Sequence, residues 1–468
     1  MQMRLSSGFF ALFLLLATTG MAQDMTNSSE NSYSPPAYQV LRFRENYGFL
    51  ADPSLRQDPF DPLKFIQLGD DPNFYLTLGG DLRERFEGVH NPDFGIAGSH
   101  DAYWLQRLDL FTDLHLGERV RIFVEGISGL DEGNTLPAPP VQRDPEDLQY
   151  AFVDIFPYIN DDEHAIIRLG RFGLSLGSGR LVATRAAPNI PFKFDGGQFI
   201  YTGPSWQATA FLTQPVKDDG HLDGEDHTTT FWGLYSTHWF DTAKKNRLDF
   251  YYFGIHRENG SYSSGTGDEY RHSFGTRQFG EWDHFDYDAE EVLQTGTFGN
   301  ETILAWTASI DGGYTFEIPW NPRLGLKADV ASGDNKPNDG HQGTFDAMYF
   351  KSGYFNDASL LRPENLIDLH PNLSFSPTSK FSVDGGGDVF WRYTRNDAVY
   401  ATPGFIALQA QSSASSYVGT ALDVNLTWNI QRHPTWQASY VYFISGSYIQ
   451  GLGGGSVNYV STTLTFLF

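Results

Sequence analysis

The chain has 468 residues and no cysteine, carries a net charge of −25, and combines 15% aromatic residues with 48 glycines. The acidic balance excludes a nucleic-acid binder, which grips phosphate through Lys and Arg, and the missing cysteine excludes a disulfide scaffold. Mean hydropathy is negative, as expected where only alternate residues of each segment are apolar.

In chain order, the first segment reads as an export signal: Arg4, an apolar run from Phe9 to Ala17, then Gly20-Met21-Ala22 with small residues at the cleavage positions. The run is shorter than the roughly 20 apolar residues of a spanning helix, and residues 1–22 are expected to be removed. Residues 23–72 are expected to form a periplasmic lead-in, disordered at first and then aromatic, charged and punctuated by proline.

From residue 73 to 468 the period is 2, the strand period. Leu76, Leu78, Leu82 and Phe86 share one face, opposite Asp81, Arg83, Arg85 and Glu87. Leu108, Leu110, Leu114 and Leu116 oppose Arg107, Asp109, Asp113 and His115. After a Gly117-Glu118 turn, Val120, Ile122 and Val124 oppose Arg121 and Glu125. Later, Leu324, Leu326, Ala328 and Val330 oppose Lys327 and Asp329, and Leu422, Val424, Leu426 and Trp428 oppose Asp423 and Asn425. The last strand ends on Phe468, with Val460, Thr462, Leu464 and Phe466 on its face. Such a strand makes an aggregation-prone edge in water and a fitting closure in lipid. The stretches 131–147, 217–227, 258–275 and 334–372 are read as loops, and their acidic clusters as solvated or as bridges to lipopolysaccharide through divalent cations.

The fold class is therefore all-β, a transmembrane antiparallel barrel. At roughly 10 residues per crossing plus a turn and a loop, about 16–18 strands fit. The polar face becomes the lumen of an aqueous channel, bearing Arg83, Arg85, Arg107, Asp109, Arg121 and Lys327. Unpaired, these cations would select carboxylates. Paired with Asp109, Glu125 or Asp329, they would only neutralise the wall.

The wording of several blocks resembles the alginate-export family of outer-membrane barrels. They are LRFRENYGFLADPSLRQDPFDPLKFIQLGDDPNFYLTLGGDLRERFEG, IRLGRFGLSLGSGRLVATRAAPNIPFKFDG, SGDNKPNDGHQGTFDAMYF, ENLIDLHP and VFWRY, in family order between Val40 and Phe468. The resemblance implies eighteen strands, the bacterial outer membrane, and passage of anionic polysaccharide or small anionic solutes through an arginine-lined lumen. Its implied partners are membrane lipid, lipopolysaccharide and the barrel-assembly machinery. It adds Arg171, Arg362, Arg392 and Asp423 to the pathway. Phe172 stands where the family commonly has Gln.

A general diffusion or nutrient-uptake porin is the alternative, and a secreted β-rich polysaccharide-active enzyme the second. Gly173-Leu174-Ser175-Leu176-Gly177 matches the form of a nucleophile elbow, but no helical period follows it. The histidines show no metal-binding spacing; His164, His238 and His341 read as turn or loop residues. No catalytic residue, metal or cofactor is expected.

Overall fold

The computed structural model describes residues 36–468, apart from Ala97, Pro137, Ala138, Asp161, Asp219, His221, Thr242, Lys244 and residues 402–404. The expected export signal lies outside the described residues. Eighteen antiparallel strands close into one barrel. They are β1 (Phe74–His90), β2 (His100–Leu116), β3 (Val120–Glu132), β4 (Asp144–Ile159), β5 (His164–Phe172) and β6 (Phe194–Thr202). Then come β7 (Trp206–Pro215), β8 (Thr229–Trp239), β9 (Arg247–Tyr262), β10 (Gly265–Trp282), β11 (Phe285–Phe298) and β12 (Glu301–Thr315). The last six are β13 (Arg323–Ala331), β14 (Leu366–Thr378), β15 (Phe381–Arg392), β16 (Tyr417–Asn429), β17 (Pro434–Ser445) and β18 (Val457–Leu467).

Each strand pairs with its neighbour in sequence, and β18 returns to β1 in a register running from Asp81↔Leu467 to His90↔Asn458. Gly80 and Phe468 finish the seam with reciprocal backbone hydrogen bonds of 3.1 and 3.0 Å. Closure leaves no strand edge, the requirement for a sheet in lipid. Among the described residues no helix is long and apolar enough to cross a membrane.

The two faces follow the alternation in the sequence. Outward-facing Leu110, Leu169, Leu212, Leu234, Leu304, Leu326 and Leu422 are exposed on strands all around the wall, a continuous apolar surface that a protein in water does not sustain. Exposed aromatic residues flank it: Trp206, Trp282, Phe285, Trp320 and Trp428 towards the end that carries the chain terminus, and Trp104, Tyr270 and Tyr440 towards the other. These are the interfacial girdles of a membrane barrel. Glu84 also alternates outward, and the side chains of Trp104 and Gln106 donate to its carboxylate.

Connections at the terminal end are short, as at 117–119, 203–205 and 379–380, whereas the opposite end carries 173–193, 332–365 and 393–416. Stretch 258–275, expected as a loop, is strand on both sides of a tight Ser263-Ser264 turn. Its Gly and Ser residues mask a continuing inward series of Tyr262, Glu269 and Arg271, all buried. His164 and His238 likewise lie within β5 and β8, not in turns.

Two long connections enter the barrel and pair with each other. Val182 bridges Tyr349 in parallel, and Ala183 N–H donates to the Tyr349 carbonyl at 2.8 Å. The first segment reaches from Arg83 and Arg107 on β1 and β2, which donate to the carbonyls of residues 186–188, to Asp329 on β13, which takes Arg180. It therefore spans the lumen. The elbow-like stretch is part of it: no helix follows, and the chain turns at Gly177 and Gly179, both at positive φ.

Residues 38–72 form short helical turns whose side chains enter the barrel from the terminal end. Phe43 packs edge-on against Phe123, Tyr150 and Phe152, and Arg168 lies over its ring at 4.4 Å. Arg42 donates to the Gly80 carbonyl at 2.9 Å and to the Phe468 carbonyl at 3.0 Å, bridging the seam.

Candidate solute pathway

Strand alternation turns Arg83, Arg85, Arg107, Asp109 and Arg121 to the buried inner face. There they are engaged. Arg107 pairs with Asp109 at 2.9 Å and Asp81 at 3.5 Å. Arg121 grips Asp113 through two bonds of 2.7 Å, and Arg168 grips Asp154 through two of 2.8 Å. Arg85 meets Glu87, Asp357 and the Tyr459 hydroxyl. Arg83 pairs with no carboxylate among the described residues; its two terminal nitrogens donate to three carbonyls and the Asn189 side chain, while Nε is buried without an acceptor. Bidentate pairs of this kind are strong and geometrically fixed, so these arginines brace the wall and hold the crossing segment.

The residues suggested by resemblance are dispersed. Arg171 stands between Arg168 and Phe172, both buried, and alternation from Phe172 turns it the other way. At the long-loop rim it binds Asp195 bidentately and donates to the carbonyls of Leu148 and Asp223. Gly170, at a φ of +130°, marks the irregular backbone there. Arg392 is buried at the same rim, donates to the carbonyls of Arg395, Gln411 and Ser415, and lies 3.8 Å from the Tyr448 ring centroid. Arg362 lies within the second lumen segment, paired with Glu364 at 2.6 Å. Neither Arg171 nor Arg392 lines the cavity in the lumen.

That cavity, about 480 Å³, lies between the lumen segments and the β11–β16 wall. Of the residues singled out in the sequence, Lys327 and Asp423 line it. Sequence reasoning missed two further cations, Arg180 and Lys351, although both stand in or beside blocks that carry the family resemblance. Arg180, Lys327 and Lys351 surround one aromatic ring, with Tyr354 centroid distances of 5.0, 4.2 and 5.6 Å. Arg180 is tied to Asp329 and Lys327 approaches the same carboxylate at 3.3 Å. Lys351 makes no side-chain hydrogen bond or ion pair among the described residues and stays exposed to the cavity. Surrounding protein, then the charges of Lys327 and Arg180, hold its amine below the usual lysine value.

Most lining carboxylates are already matched: Asp288 by Arg277, Asp311 by Arg323, and Asp357 by Arg85. Asp384 and Asp423, on the β15–β16 side, pair with no Lys or Arg among the described residues and accept from Asn425. The passage is thus bipolar, with a basic pole at Tyr354 and an acidic pole opposite.

A sequence model of the family described as "Alginate export" matches residues 74–462. The chain belongs to the alginate-export family. No curated protein matches it. Among solved structures, this family member is similar to the Acinetobacter baumannii OccAB1 barrel, with 11% identity, a TM-score of 0.59, and coverage of 87% of this chain and 99% of that one. It is also similar to Pseudomonas aeruginosa OpdK, solved with vanillate, at 10% identity and a TM-score of 0.57, covering 84% and 98%. A BenF-like porin from Pseudomonas fluorescens matches at 9% identity and a TM-score of 0.55, covering 84% and 99%. Identities this low speak for the fold alone. Family and fold together make this alginate-export member a bacterial outer-membrane channel. In barrels of this kind short turns usually face the periplasm and long loops the outside.

Proposed function

We propose that this channel passes carboxylate-bearing solutes, either small organic anions or an anionic polysaccharide threaded through the lumen. The observation that carries this reading is the Arg180–Lys327–Lys351 group around Tyr354, with Lys351 unpaired and facing the cavity. Fixed positive charge beside an aqueous passage raises local anion concentration. A cavity of about 480 Å³ is in the range that accepts a small ligand, and the vanillate bound to OpdK is a small carboxylate of that kind. A polymer would need one lumen segment to shift.

A general diffusion porin is the second reading, favoured by the pairing of most wall arginines with aspartate or glutamate. Planar-bilayer recordings of the refolded protein separate the two. The first reading expects anion selectivity in a KCl gradient, and block of the current by uronate oligomers or aromatic carboxylates. An ohmic pore without selectivity or block would favour the second.

A further inference from the structure

Three successive strands each bring one metal-ligating side chain to the acidic pole. His370 on β14, Asp388 on β15 and Asp423 on β16 place their ligand atoms within 4.8 Å of one another. Asp388 is 0% exposed, pairs with His370 Nδ1, and accepts from Asn356 Nδ2 at 3.1 Å. Asp423 Oδ2 accepts from Asn425, whereas its Oδ1 meets no donor. Gly386, the register partner of Asp423, lies against the His370 ring; a Cβ there would collide with Nε2. Glycine at that position leaves room for the imidazole.

A second observation is independent of those three. Asp368 stands two residues before His370 on the same inner face, paired with Phe390 and one diagonal step from Asp388. It is 2% exposed, and neither carboxylate oxygen has a hydrogen-bond donor among the described residues. Lys327, the cation of this wall whose charge acts on Asp368, is already shared with Asp329 and the Tyr354 carbonyl. Uncompensated carboxylates in a buried wall are costly unless a proton or a cation neutralises them.

We propose that His370, Asp388 and Asp423 bind a divalent transition-metal cation, whose charge also balances Asp368. One imidazole with hard oxygen donors suits Zn²⁺, and the cavity that His370 and Asp423 line provides the way in. The ligands belong to three different strands, so no motif spacing announces them. The site is independent of which solute the channel carries.

The test titrates Zn²⁺ into chelator-stripped, refolded full-length protein by calorimetry, with folding followed by the heat-modifiable band on gels. One saturable site is expected, weakened more than about tenfold in His370→Gln and in Asp423→Asn. Zinc-edge absorption of the loaded wild type should show imidazole scattering together with oxygen. The assignment is overturned if folded wild type takes up no Zn²⁺, the result expected if protons alone neutralise the cluster. It is equally overturned if both folded variants bind as tightly as wild type. Should the variants not fold, an oxygen-only shell in the wild-type spectrum overturns it.

Discussion

Lys351→Glu reverses one charge at the basic pole without breaking an ion pair, because Lys351 has none among the described residues. A unit charge acts on an anion 4 Å away with about 1 kcal/mol in a water-like dielectric. Reversal therefore costs a passing anion about 2 kcal/mol. With tenfold per roughly 1.4 kcal/mol, local anion preference should fall by about 30-fold. The figure is a ceiling, since Arg180 and Lys327 stay in place. In a KCl gradient the reversal potential of Lys351→Glu should move towards cation selectivity, and that of Lys351→Gln about half as far. Lys380→Glu is the control: this amine sits in a short turn, donating to the Ile430 carbonyl, and charges beyond a Debye length of about 8 Å are screened. The lowered amine of Lys351 adds a pH signature. Its positive charge is lost at a lower pH than for an ordinary lysine, so wild-type anion preference should decline early on the alkaline side. A folded Lys351→Glu barrel with wild-type reversal potential, or a control that shifts equally, would refute the reasoning.

Three further outcomes are expected. Phe468→Asp should deplete the heat-modifiable folded form, because Phe468 completes the seam with Gly80 and packs against Phe60 at 5.5 Å; unchanged folding would remove its role in closure. Arg168→Met removes the bidentate partner of Asp154, which is 0% exposed and keeps only Arg121 at 3.6 Å, and should destabilise by up to about 3–5 kcal/mol in urea titration; restoring stability with Asp154→Leu in the same chain would confirm the cause. Lys64, in the lead-in, is buried among the rings of Tyr47, Phe111 and Phe468 with no hydrogen-bond acceptor among the described residues, and burial lowers its amine to about 7. The unfolded chain then holds more protons between pH 7 and the ordinary lysine value, so stability should rise with pH through that window. Lys64→Met should raise the urea midpoint at pH 7 and flatten that rise; an unchanged pH slope would count against a neutral buried amine.

The barrel was legible because lipid demands a strict period of 2, and a one-residue slip would put Arg83, Arg107 or Lys327 into the membrane. Length per crossing narrows the strands only to about 16–18, and the family resemblance supplies eighteen; closure by the last strand follows from its own alternation up to Phe468. The site was far less legible. Alternation shows which face Arg121 occupies but not that its partner is Asp113; that depends on cross-strand register and side-chain reach. The irregular backbone at Gly170 comes one residue before Arg171, where the chain is leaving the regular wall. The lumen segments lack any period, since their order comes from contacts such as Val182 with Tyr349, far apart in sequence. Lys351 stands out only once Tyr354 brings Arg180 and Lys327 beside it.

The clasp made by Arg42 imposes an order on assembly. Its two acceptors, the carbonyls of Gly80 and Phe468, belong to the first and last strands, and Phe468 is 426 residues further along the chain. The two halves of that receptor meet only when the cylinder shuts, an event that must bring together the most distant parts of the polypeptide. The lead-in, although translated long before the wall it enters, can complete its docking only as a final step. A nascent barrel that has not yet sealed would keep a free N-terminal arm, distinguishable from the finished pore by its susceptibility to protease.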